Sequence, residues 1–92
     1  MKIEVLQRMM EHELGWRREG GTFFVKDGVK ATALLTSGRE VVPVPRFVSL
    51  RFEDDVLVFE TEEGHFFASN DCVFALRTEG DDKKNDKRPG FH

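Results

Sequence analysis

The strongest constraint on this chain is its punctuation. Turn-forming clusters stand at Asp27-Gly28, Ser37-Gly38, Glu53-Asp54-Asp55, Glu62-Glu63-Gly64 and Ser69-Asn70-Asp71. Between them lie short apolar runs, a length that suits strands better than helices. Val29, Ala31, Ala33 and Leu35 alternate with Lys30, Thr32, Leu34 and Thr36, the period of a half-buried strand. Phe23-Phe24-Val25 reads as a strand pairing back across Asp27-Gly28, a two-residue hairpin signal. Arg39 to Val44 forms another strand, and Val48, Leu50 and Phe52 line one face of the next. Pro43 and Pro45 cannot donate ladder hydrogen bonds and mark an edge, a bulge or a bend. Val56 to Thr61 is apolar throughout its middle, as a strand buried on both faces is. His65 to Ala68 pairs back, and Cys72 to Leu76 is the last strand.

Ahead of these strands the period changes. Ile3, Leu6, Met10 and Leu14 follow the spacing of one helical face, with Gly15 placed as a C-terminal cap. The fold expected is mainly β with one N-terminal α-helix and a small antiparallel barrel or strongly bent sheet of about five to six strands. Residues 1–78 make the helix-plus-barrel domain. Residues 79–92, TEGDDKKNDKRPGFH from Thr78 onward, have no apolar periodicity and read as a disordered charged tail, with Phe91 and His92 a possible anchor at its end.

Ninety-two residues support one domain and one small core, and 39% apolar residues with nine Phe can build it. No run reaches the roughly 18 apolar residues of a membrane span, and the N-terminus lacks the continuous apolar centre of a secretion signal. One cysteine cannot form an internal disulfide, which fits a reducing, cytoplasmic setting.

The candidate chemistries are few. Cys72 and His65 are the elements of a thiol nucleophile, but Asp71, Glu60, Glu62 and Glu63 surround them in sequence, and negative charge opposes thiolate formation. His12, His65, His92 and Cys72 share no metal-ligand spacing. The paired carboxylates fall in turns, where solvent keeps both ionised and neither serves as an acid. Gly20-Gly21 precedes a strand, not the helix that a phosphate loop requires. The sequence therefore assigns no catalytic residue, no cofactor and no metal.

Charge is segregated. Residues 15–52 carry seven Lys/Arg and three Asp/Glu, a balance of +4, whereas residues 53–82 carry one Arg and ten Asp/Glu, a balance of -9. Such a dipolar surface suits an oppositely charged partner, a second copy included. The leading expectation is a non-catalytic binding module for a protein partner or for itself, using Ile3, Leu6 and Met10 of the helix face. The alternative is a single-stranded nucleic-acid-binding barrel. It would use the basic face of residues 16–51, where Arg17, Arg18, Lys30, Arg39 and Arg46 are interleaved with Trp16 and Phe47, rings able to stack bases if exposed.

The stretch Phe67-Ala68-Ser69-Asn70-Asp71-Cys72-Val73, within Gly64 to Leu76, resembles the end of a Src-homology-3-type barrel, where a strand, a tight Ser-Asn turn and a final apolar strand follow one another. The helix followed by strands also resembles the Sm-like architecture, with Thr36-Ser37-Gly38-Arg39 at its first hairpin and Val56 to Arg77 as its last strands. The likeness implies topology and ring-like or dimeric association. The chain contains no Tyr and lacks the peptide-binding aromatics of the first family, and Ser69-Asn70-Asp71 stands where the second carries a basic residue.

Overall fold

The computed structural model describes residues 1–80. The charged segment 81–92, with Phe91 and His92, lies outside the described residues. The fold is mainly β, with one N-terminal helix and eight strands in two antiparallel sheets, neither closed into a barrel. The helix, α1, runs as an α-helix over Ile3–Arg8 and continues as a π-helical turn over Met9–Glu13. The strands are β1 (Arg17–Glu19), β2 (Thr22–Phe24), β3 (Val29–Ser37), β4 (Glu40–Phe47), β5 (Ser49–Glu53), β6 (Val56–Thr61), β7 (Gly64–Ser69) and β8 (Val73–Gly80).

One sheet has the order β1-β2-β5-β6-β7 and the other β4-β3-β8. They share a corner at Arg46-Phe47-Val48, where the chain passes from β4 in one sheet to β5 in the other. Arg46 takes a left-handed φ of 55° there, and the amide of Val48 crosses to Glu60 O at 2.8 Å. β8 pairs with β3 and not with β7, so the barrel closure expected of the last strand does not form. β8 extends through Glu79 and Gly80, two residues expected in the tail.

Three local rules explain most of the turns. Gly38 (φ 65°) occupies the first loop position between the paired Ser37 and Glu40, the place glycine takes in a tight hairpin. Gly15 (φ 68°) ends α1, and the amide of Trp16 reaches back to Met10 O at 2.9 Å, one residue further than an ordinary glycine cap because the last turn is π-helical. Asn70 fastens the β7–β8 turn to the β5–β6 turn, its amide donating to Asp55 O at 3.0 Å.

The Asp27-Gly28 turn corrects the hairpin expected there. Its amide at Val29 donates to Lys26 O at 3.1 Å and only Gly28 has positive φ (84°), the signature of a type II turn rather than a hairpin turn. β2 pairs with β1 and β5 and not with β3, so the turn carries the chain from one sheet to the other.

The core lies between the sheets and beneath α1. Leu6, Met10, Phe23, Leu50, Leu57 and Phe59 have no exposed surface. Trp16, Phe47 and Phe59 meet edge to face at 5.9 and 5.1 Å, the arrangement that places ring edges against ring faces. Leu57, Val58 and Phe59 are all buried, which confirms β6 as a strand covered on both faces. No described helix is long and apolar enough to cross a membrane.

Candidate functional site

The residues expected to form an interaction surface are divided by the fold. Leu6 and Met10 are wholly buried, and Ile3 is partly so. The apolar face of α1 is therefore spent on the protein's own core and is not free for a partner. Trp16 (4% exposed) and Phe47 (1%) are core residues as well, so neither ring is available to stack on a base. Arg17, Arg18, Lys30, Arg39 and Arg46 are all exposed. Arg18 pairs with Glu11 of the helix at 3.5 Å, and Arg39 sits in the β3–β4 loop. Arg17, Lys30 and Arg46 converge.

They converge on a cleft of about 660 Å³ beside the sheet corner. Its cationic groups are Arg17 from β1, Lys26 from the type II turn, Lys30 from β3 and Arg46 from the corner. Asp27, Glu60 and Glu62 line it too, with Phe24 and Val48 as apolar surface. The Arg17 guanidinium lies 4.2 Å from the Phe24 ring centroid, a stacked cation–π contact, and also pairs with Glu19. Lys26, Lys30 and Arg46 form no ion pair among the described residues, although carboxylates share the cleft with them. Beyond the cleft, Glu79 is held below the usual carboxylate range chiefly by its hydrogen bond and charge interaction with Arg77, with smaller contributions from Lys30 and Arg46.

The second feature is an open sheet edge. β7 ends the five-stranded sheet and is exposed along nearly its whole length. Phe66 is 38% exposed and Phe67 65%. Phe66 lies beside its partner Phe59 at the rim of the core. Phe67 is the cross-strand partner of Val58 and neighbours His65. The other edges differ in kind. β4 carries Pro43 and Pro45 at alternate positions, which removes two donors from one side of the strand and blunts it. β1 is three residues long and wholly charged. β8 is eight residues long, free of proline, and bears Phe74 at 59% exposure.

The surroundings of Cys72 disfavour its thiolate. Its thiol donates to Ser69 O at 3.1 Å, and burial, then the charge of Asp71, pushes its pKa up. Among the described residues no group of three His, Cys, Asp or Glu side chains is placed to hold a metal ion. Sequence reasoning missed Phe67 and Phe74 as exposed aromatics. The alternating pattern of β7 puts Phe66 and Phe67 on opposite faces, so one of that pair must leave the core, and this signal was readable. Comparison with protein-family models, with curated proteins and with solved structures gives no match.

Proposed function

We propose that the protein is a non-catalytic interaction module that associates by strand addition at the free edge of β7, with a second copy of the chain, or a protein segment of the same character, as the added strand. The observation that carries this reading is the exposure of Phe67 on an unpaired, proline-free edge. An open edge supplies a row of backbone donors and acceptors, and exposed side chains beside it supply contact area. A second copy suits the edge because β8, the other long proline-free edge, also bears an exposed phenylalanine, Phe74. The segregated charge of residues 15–52 and 53–82 favours one copy meeting another head to tail.

The path β8-β3-β4, continued through the corner into β5-β6-β7, supports a kinship of layout with the Src-homology-3-like and Sm-like small barrels. The tight turn at Ser69–Asp71 supports it too.

Sedimentation over a wide concentration range tests the reading. Association should appear as concentration rises, weaken as salt is raised, and be lost in Phe67→Asp, whose exposed position leaves the core untouched. A chain that stays monomeric at every concentration and salt refutes association with itself.

A further inference from the structure

We propose that the cleft between β1, the type II turn and the β4–β5 corner binds a compact phosphate ester carrying amino or hydroxyl donors, an occupant of nucleotide or sugar-phosphate size. The cleft's cations and carboxylates do not pair with one another: Arg17 pairs with Glu19, Glu60 accepts a hydrogen bond from Ser49 Oγ at 3.2 Å, and Glu79 stands across from Lys30 in the β3–β8 ladder. Lys26, Lys30 and Arg46 have no ion-pair partner among the described residues, and neither Glu60 nor Glu62 closes on them. Opposite charges that line one cleft without meeting leave room for a ligand that satisfies both. An anionic group serves the three cations, and a donor group serves the carboxylates.

Arg46 adds an independent argument. Among the described residues it is one of two non-glycine residues with positive φ, at 55°. That conformation is disfavoured for an L-residue and natural for glycine. The corner nonetheless holds an arginine, and its side chain lines the cleft. Arg46 is the extra residue of a β-bulge opposite Ala31 and Thr32, a device that re-aims a side chain and is common beside sites. Arg17, stacked on Phe24, brings a planar guanidinium to the same wall. The volume of about 660 Å³ falls within the roughly 300–1,000 Å³ of small-ligand sites. The carboxylates also set the size limit. Glu60 and Glu62 repel the second and third phosphates of a polynucleotide, whereas a single phosphate can sit against the cations alone.

Amide chemical shifts of the full chain would be followed at about 50 mM salt, where phosphate contacts are strong. The probes are adenosine 5′-monophosphate, glucose 6-phosphate, inorganic phosphate and a twelve-nucleotide oligothymidylate. Saturable shifts centred on residues 26–30 and 46–49 with either ester, weakened at least tenfold in both Lys30→Glu and Arg46→Gly, support the proposal. Each variant's thermal midpoint is recorded alongside, and Arg46→Gly should fold at least as well as the parent. The preferred ester identifies the source of the phosphate. Inorganic phosphate binding as tightly as both esters overturns the role given to the carboxylates. Oligothymidylate binding more tightly than either ester overturns the size limit and restores the single-strand reading. No shift with any probe up to about 10 mM, weaker than a useful small-ligand site, overturns the site itself.

Discussion

Replacing Phe47 by alanine separates the two roles its sequence position permits. The ring is 1% exposed and is held edge to face between Trp16 and Phe59. Burying a phenylalanine contributes about 1.5–3 kcal/mol of transfer free energy. Each edge-to-face pair adds about 0.5–1.5 kcal/mol. The cavity left behind adds to the loss, because Leu50, Phe59 and Trp16 are anchored by their own strands or caps and close it only in part. Truncations of this kind cost about 3–5 kcal/mol, and two ring partners place Phe47→Ala near 4 kcal/mol. The 80 described residues imply a total stability of about 4–12 kcal/mol at ordinary values per residue. One substitution thus removes a third of the stability or more.

Urea unfolding followed by the fluorescence of Trp16, the chain's single tryptophan, reads this directly. The midpoint should fall with the denaturant slope unchanged, and the thermal midpoint should drop by at least about 15 °C. Phe47→Leu, which keeps most of the volume, should cost about 1–1.5 kcal/mol. A loss below about 1 kcal/mol in Phe47→Ala, with Trp16 emission unaltered in the folded state, would refute the core assignment and return the ring to the surface.

Three further outcomes follow from backbone geometry and from the thiol. Arg46→Gly relieves a left-handed arginine but adds freedom to the unfolded chain, so stability should rise by about 0–1 kcal/mol, whereas Arg46→Val should fall by about 1–2 kcal/mol; urea midpoints decide both. Gly15→Ala meets no atom within 4 Å and carries only the strain of φ 68°, costing about 1 kcal/mol; Gly80→Ala drives a Cβ to 2.6 Å from Gly28 O and should release the end of β8, read as faster amide exchange at Val29 and Lys30. Cys72, its pKa raised by burial and then by Asp71, should react with a thiol reagent more slowly than a free cysteine at neutral pH, and Asp71→Asn should speed the reaction; the folded state keeps the thiol proton, so this contribution to stability is whole below the ordinary thiol pKa and fades as pH rises through the folded value.

The strand layout was legible because turn chemistry is local. Gly38 and the pairs Asp54-Asp55 and Glu62-Glu63 sit between strands that do pair with each other. The helix cap at Gly15 was legible for the same reason. β1 was not, because Arg17-Arg18-Glu19 has no apolar alternation. Its strand character comes from outside itself, from Phe23 and Phe24, whose rings lie under Arg18 and Arg17 at 5.1 and 4.2 Å. The Gly20-Gly21 pair between Glu19 and Thr22 was the available clue. The burial of Leu6, Met10, Trp16 and Phe47 depends on how far the two sheets stand apart, which periodicity does not encode. An apolar face looks the same in sequence whether the protein's own sheets or a partner cover it.

The same limit explains the cleft. Asp27-Gly28 is a strong hairpin signal, yet the turn it makes is type II, with positive φ at Gly28 alone. Had β2 paired with β3, Lys26 and Lys30 would flank an ordinary hairpin and solvate separately. Instead the turn carries the chain out of one sheet and into the other, and the gap it spans opens toward the corner at Arg46. The two left-over features, a turn that declines its hairpin and an arginine in a glycine's conformation, lie on the same cleft. Arg46 is also the extra residue of a bulge in β4, between the pairs Thr32–Pro45 and Ala31–Phe47, and its turn of the backbone sets the buried Phe47 against the core. The bulge accounts for the backbone at Arg46, and the proposed ligand concerns only its exposed side chain, which the bulge aims into the cleft shared with Lys26 and Lys30.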